Sequence, residues 1–390
     1  MGQTLPAGLW DILGKVGFVA DAFSAFSFPT KIIFGAGSLA EVPSRLSDLG
    51  VARPLIVTDR GLAGTPALAL LKKISGDWPV HAGVRPNPGV EDVEETVAAW
   101  RESKCDGVVA FGGGSALDVG KAVRLRLKRP EKTLAEFDFN ADWSGLAPFV
   151  AIPTTAGTGS EVGRSSVIIL DGHKKVLFHP ALLADLVVLD PETTRGLPAK
   201  LTAATGADAL THCIESFTSP TFHPLCDGIA LEGIHLAARA LPRAVRDGGD
   251  LEARGLMQMA ALMGGIAFQK DLGATHSLAH PLSSICGLHH GLANALCLPW
   301  VMDFNAQRRP GLYRRVAVAA GLSEASDAAA IAWIRALMEE IGLPPGLRQH
   351  GVKDSHLESL TEQAFRDGCH LTNPVPVTAA DLRGLYQAAL

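Results

Sequence analysis

The chain reads as an α/β domain followed by an all-helical domain, and three observations carry that reading. Short apolar runs alternate with helical patterns through the first half, the arrangement that produces a parallel sheet covered on both faces. From about residue 200, alanine-rich helical periods take over and no further strand pattern occurs. Glycine- and hydroxyl-rich loops follow two of the strands, where open α/β sheets bind ligands.

Taken in order, the first 25 residues show neither period and are expected to form a loosely structured extension. Residues 54–58 (PLIVT) form a strand that ends at Asp59, and residues 106–111 (DGVVAF), 148–153 (PFVAIP) and 186–190 (LVVLD) form three more. Helical spacing occupies 65–74, 90–104 and 115–127 between them. Val167 to Leu170 fits an additional hairpin strand. The pattern switches near Asp190-Pro191, so the expected division is 1–192 (α/β, with 1–25 as the extension) and 193–390 (helical). The second half holds helical periods at 201–217, 224–246, 251–270, 274–285, 291–306, 324–341, 355–367 and 378–389.

Composition narrows the function. With 390 residues, 47% hydrophobic, the chain can bury the cores of two domains. A net charge of −5 and the lack of a basic stripe argue against a nucleic-acid partner. No apolar run reaches the roughly 18–20 residues of a membrane span. No basic leader precedes an apolar stretch and a small-residue cleavage site, so a cytoplasmic protein is expected. Six scattered cysteines without a CxxC pair read as thiols of a reducing compartment.

Two blocks concentrate metal-ligating side chains: GADALTHCIE (206–215) and GATHSLAHPLSSICGLHHG (273–291). Asp208 and His212 are four apart, so a helix places them on one face, one turn apart; His276 and His280 repeat the spacing. His290 follows a break at Gly287. A lone helical histidine is usually a packing or surface residue, but four of the 13 histidines fall within 276–290. One carboxylate with three imidazoles suits Fe²⁺ or Zn²⁺ and not the oxygen-seeking Mg²⁺ or Ca²⁺.

The loops point to a nucleotide. VVAFGGGSALDVGK (108–121) runs from a strand through three glycines and a serine into a helix, whose first amides and dipole favour a phosphate. It is not the GxGxxG fingerprint, and such turns often only connect a strand to a helix. A second loop, PTTAGTGSE (153–161), offers hydroxyls and backbone amides to phosphates, ribose or nicotinamide. Asp59, at a strand end, either accepts from a ribose 2′-hydroxyl, favouring NAD over NADP, or only starts a turn with Arg60-Gly61.

Together these segments resemble the iron-dependent (group III) alcohol dehydrogenases from about Phe28 to the C-terminus. The similar stretches are FPTKIIFGAGSL (28–39), VRPNPGVEDV (84–93), GGGSALDVGK (112–121), PTTAGTGSEV (153–162), the two metal blocks and TNPVPVT (372–378). The resemblance implies a dehydroquinate synthase-like fold, with a Rossmann-like nucleotide domain and a helical metal-binding domain facing each other across a cleft. It implies Asp208, His212, His276 and His290 as metal ligands, and His280 as a histidine near the nicotinamide that relays protons. It assigns cofactor contacts to Asn87, Gly112, Gly113, Gly114, Ser115, Asp118, Lys121, Thr154, Thr155 and Thr158, alongside Asp59. His290 is chosen over His289 because His290-Gly291 fits the family pattern.

The implied reaction is NAD(H)-linked interconversion of a small primary alcohol, diol or hydroxy acid with its aldehyde, the divalent ion lowering the pKa of the alcohol oxygen. A homodimer or higher homo-oligomer is the expected assembly. Departures at Gly163, Ser283 and Val375 remove no ligand and bear on substrate choice. Phe268 and Cys369 either border the expected substrate space or serve ordinary packing; Lys270 either pairs with an acidic tail or is a solvated helix-end lysine. The alternatives are a dehydroquinate synthase-like lyase and a metal-independent enzyme resembling maleylacetate reductase.

Overall fold

A computed structural model describes residues 30–390; the expected extension at 1–25 lies outside them. The α/β part contains β1 (Lys31–Phe34), α1 (Val42–Asp48), β2 (Pro54–Asp59), α2 (Pro66–Ser75), β3 (Val80–Val84), α3 (Val90–Glu102), β4 (Gly107–Gly112) and α4 (Gly114–Lys128). It continues through β5 (Phe149–Pro153), β6 (Ser165–Leu170), β7 (His173–Phe178) and β8 (Leu186–Leu189). The helical part contains α5 (Ala199–Thr218), α6 (Pro224–Arg246), α7 (Leu251–Ala267), α8 (Ala274–Cys286) and α9 (His290–Arg308). It ends with α10 (Arg314–Ala319), α11 (Asp327–Glu340), α12 (Leu357–Arg366) and α13 (Ala379–Ala389). None of the described helices is long and apolar enough to cross a membrane.

Six strands form one parallel sheet in the order β1-β8-β5-β4-β2-β3. Every residue of β4, β5 and β8 is buried, as expected of strands covered on both faces. The chain leaves β2 toward β3 on one side and returns to β4 on the other. This reversal opens a crevice at the carboxyl ends of β2 and β4, where doubly wound sheets bind ligands. Strand β3 was not evident in the sequence, because VHAGV is a partly buried edge strand without a continuous apolar run. Helix α1 was missed for its brevity. Strands β6 and β7 pair antiparallel around Asp171-Gly172, both at positive φ (51° and 77°), the left-handed pair that a tight hairpin requires.

Contacts divide the described chain into two compact units. One comprises Phe28–Pro198 together with Asp247–Gly265, and the other the remaining helices. Most of α7 therefore groups with the sheet rather than with its sequence neighbours. Gln258 explains this: its buried amide donates to the Asp190 carbonyl at 3.2 Å and reaches Thr193 Oγ1 at 3.4 Å, beside the end of β8. The sheet unit has its core around Ile56, Val109, Phe111, Ile152 and Val188. The helical unit packs α8, α9, α12 and α13 around Leu278, Leu282, Leu296, Leu360 and Tyr386. Each fully buried aliphatic side chain there contributes about 1.5–3 kcal/mol.

Candidate metal and nucleotide sites

In the helical unit, Asp208 and His212 lie one turn apart on α5, His276 lies on α8, and His290 is the first residue of α9. Asp208 Oδ1 is 3.5 Å from His290 Nε2 and 3.9 Å from Nε2 of both His212 and His276. Ligands bound 2.0–2.2 Å from one divalent ion lie roughly 3–3.5 Å apart, so a small inward movement satisfies such an ion. The donor atoms of Asp208, His276 and His290 all fall within 4.8 Å of one another. His212 meets Asp208 and stacks on His276 at 4.8 Å but stands outside that tighter trio. The approach of α9 depends on Gly291: a Cβ there would lie 2.0 Å from the Ala204 carbonyl oxygen on α5. That contact gives the His290-Gly291 register a physical reason.

Asn294, one turn beyond His290, reports how the donors point. Its Nδ2 donates to Asp208 Oδ1 at 2.7 Å and lies 3.2 Å and 3.3 Å from Nε2 of His276 and His290. One carboxylate oxygen and two imidazole nitrogens thus all lie within 3.3 Å of a single amide nitrogen, a spacing that suits a shared cation. Glu215 fixes the remote face of His276: Oε2 is 2.6 Å from His276 Nδ1, and Oε1 accepts from Thr275 N at 2.7 Å. A carboxylate accepting from Nδ1 leaves Nε2 as the basic nitrogen. Burial opposes ionisation of Asp208, but His212, His290, His276 and the Asn294 amide outweigh it and hold its pKa down at about 2. Burial also keeps His290 well below the ordinary imidazole value, with its lone pair available. The cluster therefore fits the ion that the sequence implied.

Sequence reasoning passed over Glu215 and Asn294, although both follow the helical period. Asp208, His212 and Glu215 are spaced i, i+4, i+7, and His290 and Asn294 i, i+4. Asp367 gave no such sign. Its Oδ2 is 2.7 Å from His280 Nδ1, across a gap of 87 residues in sequence.

Among the three residues placed near a substrate, Phe268 packs its ring 5.4 Å from that of His212. Cys369 sits beside Asp367, and burial followed by that carboxylate pushes its thiol far above the usual value. Lys270 departs from expectation. Only 2% exposed, it is neither solvated nor available to an acidic tail, because its ammonium pairs with Asp227 and donates to the Phe217 carbonyl at 3.3 Å.

In the sheet unit, Asp59 and the Gly112–Ser115 turn meet at the β2–β4 crevice. A Cβ on Gly112 would lie 3.1 Å from Asp59 Oδ2. Asp59 Oδ1 accepts from Leu62 N at 3.1 Å, so one oxygen serves the turn and the other faces the glycines. Gly113, Gly114 and Ser115 are partly exposed, and the first amides of α4 have no partner within the helix. The second loop lies against the first: Cβ atoms on Gly113 and Gly114 would meet Thr155 at 3.4 Å and Thr158 at 3.1 Å. Thr154 is buried beneath them and donates its backbone N–H to the Gly112 carbonyl at 3.0 Å.

Lys121 corrects the expectation of direct cofactor contact. Lys121 is fully buried and donates to Ser160 O (2.6 Å), Ser160 Oγ (3.0 Å) and Ser165 O (2.8 Å). Asp118 Oδ1 accepts from Ser160 Oγ at 2.8 Å. The pair clamps the second loop to α4. Asn87 lies at an exposed turn after β3 with φ 51°, a conformation asparagine tolerates. Its segment is held by Asp92, which accepts from Gly89 N at 2.8 Å and Arg85 N at 3.0 Å.

Comparison with known proteins agrees with this arrangement. Residues 29–191 match the iron-containing alcohol dehydrogenase family model, and residues 202–390 the C-terminal model of the Fe-containing alcohol dehydrogenase family. A 4-hydroxybutyrate dehydrogenase of Cupriavidus necator is 41% identical over 95% of this chain and 100% of its own length. The crystal structure of a 1,3-propanediol oxidoreductase superposes with a TM-score of 0.89 at 34% identity, covering 94% of this chain and all of that one. A sulfoacetaldehyde reductase from Bifidobacterium kashiwanohense, solved in complex with NAD⁺, superposes with a TM-score of 0.86 at 29% identity, covering 94% of this chain and 99% of that one. With both halves matched and the ligand cluster assembled, the chain belongs to the iron-containing alcohol dehydrogenase family, an NAD(H)-linked group of alcohol oxidoreductases.

Proposed function

We propose that this oxidoreductase interconverts a short ω-hydroxy acid, of the 4-hydroxybutyrate class, with its semialdehyde. The inward-facing donor cluster of Asp208, His276 and His290 carries the metal-dependent part of this reading. The 41% identity to a 4-hydroxybutyrate dehydrogenase supports the substrate class. Asp208, His212, His276 and His290 would hold Fe²⁺ or Zn²⁺, and Glu215 keeps His276 in the tautomer that does so. When bound, the ion stabilises negative charge on the substrate oxygen, and the nicotinamide carries the hydride. The amides of Gly113, Gly114 and Ser115 would receive the pyrophosphate at the start of α4. Asp59 Oδ2 would accept from the adenosine ribose, and Thr155 and Thr158 flank the same turn. His280 would exchange the hydroxyl proton with solvent.

A reducing, cytoplasmic setting belongs to this reading, supported by six free thiols. So does self-association, supported by the exposed Phe139 and Phe178 rings stacked 6.2 Å apart, which light scattering would test.

The deciding assay follows NADH formation by anaerobically purified protein over alcohols, diols and hydroxy acids, before chelation, after it, and after return of Fe²⁺ or Zn²⁺. Highest kcat/KM on 4-hydroxybutyrate with metal-restored turnover is expected. Preference for an uncharged alcohol would overturn the substrate class, and turnover unaffected by chelation would overturn the metal assignment.

A further inference from the structure

Helix α8 carries two histidines one turn apart, and each has its Nδ1 held by a carboxylate from another segment. His276 is held by Glu215 at 2.6 Å and His280 by Asp367 at 2.7 Å. The first arrangement turns Nε2 of His276 toward the metal cluster. The second acts on a ring outside the ligand set. The side chain of His280 is 39% exposed, its ring stacks on His290 at 5.2 Å, and it meets His276 edge-on at 5.8 Å.

Asp367 is itself fixed. Its Oδ1 accepts from Ser277 Oγ and from Cys369 N, both at 2.9 Å. Ser277 in turn accepts from His370 N at 2.8 Å, which ties the start of the 368–372 turn to α8. Oδ2 faces His280. An ionised carboxylate is an acceptor only, so the nitrogen facing it must carry the proton and the other must carry the lone pair.

We propose that Asp367 is a positioning residue for the redox reaction: it holds His280 as the Nδ1–H tautomer, so that Nε2 receives the substrate hydroxyl proton. This rests on the proton-relay role given to His280 above. In oxidation the O–H proton passes to Nε2 and on to solvent, while the hydride leaves carbon with its electron pair for the nicotinamide. In reduction both transfers reverse.

The isosteric substitution Asp367→Asn tests this sharply. Ser277 Oγ–H and Cys369 N–H both need an acceptor, so they claim the new amide oxygen and leave its NH₂ facing His280 Nδ1. The proton is thereby forced onto Nε2, and the acceptor is lost. The expected result is a fall in kcat of roughly 10²-fold or more, with NADH affinity and metal content unchanged. In a His280→Ala background the same substitution should cost nothing further, since its effect runs through the missing ring. An equal loss in that background would make Asp367 merely structural and overturn the proposal.

A second readout needs no altered Asp367. In Zn²⁺-loaded protein with ¹⁵N-labelled histidine, the resonance missing from His280→Ala should show Nδ1 protonated; protonation at Nε2 instead would overturn the proposal. Absence of alcohol turnover in the unaltered enzyme would instead sink the function proposed above, while normal turnover by Asp367→Asn would sink only this inference.

Discussion

Glu215 Oε2 and His276 Nδ1 lie 2.6 Å apart, both residues buried, one on α5 and the other on α8. Burial alone would lower the pKa of His276, but the hydrogen bond and charge of Glu215 outweigh it and raise it. The carboxylate therefore makes the imidazole a better base and a better ligand while fixing which nitrogen points inward. Glu215→Gln should lower metal affinity by roughly 10- to 100-fold. Competition with a chromophoric chelator measures this, and unchanged affinity would show that Glu215 only packs.

His276→Ala removes a donor from the cluster, and His276 belongs to the helical unit while the glycine and threonine loops belong to the sheet unit. Alcohol turnover should fall below detection while NADH affinity, read by nicotinamide fluorescence, stays within about twofold, a difference of roughly 0.4 kcal/mol. Retained turnover in metal-stripped variant protein would sink the ligand assignment.

Asp59 divides its oxygens between Leu62 N and the space against Gly112. Asp59→Gly removes the charge that would repel a 2′-phosphate. The NAD-to-NADP ratio of kcat/KM should then drop by about tenfold, equivalent to about 1.4 kcal/mol. An unmoved ratio would leave Asp59 as a turn residue.

Glu161 is buried in the second loop, and that burial raises its carboxyl from 4.5 to about 7, with Lys121 opposing. The folded chain thus binds this proton more tightly than the unfolded chain. Its stabilising contribution is complete below about pH 4.5 and is lost as pH rises through about 7. Glu161→Gln should be nearly neutral at pH 5 and stabilising by about 1–2 kcal/mol at pH 8. Lys121, which burial lowers to about 8, gives back part of the gain by losing a nearby charge. Urea unfolding at the two pH values reads the difference; equal effects at both would mean that the carboxyl is not held up.

Much of this protein was settled by local sequence. Short apolar runs at 54–58, 106–111, 148–153 and 186–190 read as buried parallel strands, and those strands are β2, β4, β5 and β8. The i, i+4 pairs Asp208/His212 and His276/His280 needed only the helical period to share a face. Other features were decided by packing between segments distant in the chain. The partial burial of β3 hid its pattern, and the hydrogen bonds of Gln258 drew α7 to the sheet unit. Lys121 was expected at the cofactor and Lys270 at an acidic tail or in solvent, yet carbonyls and a carboxylate from other segments receive them in the interior. Asp367 meets His280 across 87 residues. Periodicity records which face a side chain occupies on its own element; only the tertiary structure decides what stands opposite, and for a buried charge or a histidine tautomer that partner sets the chemistry.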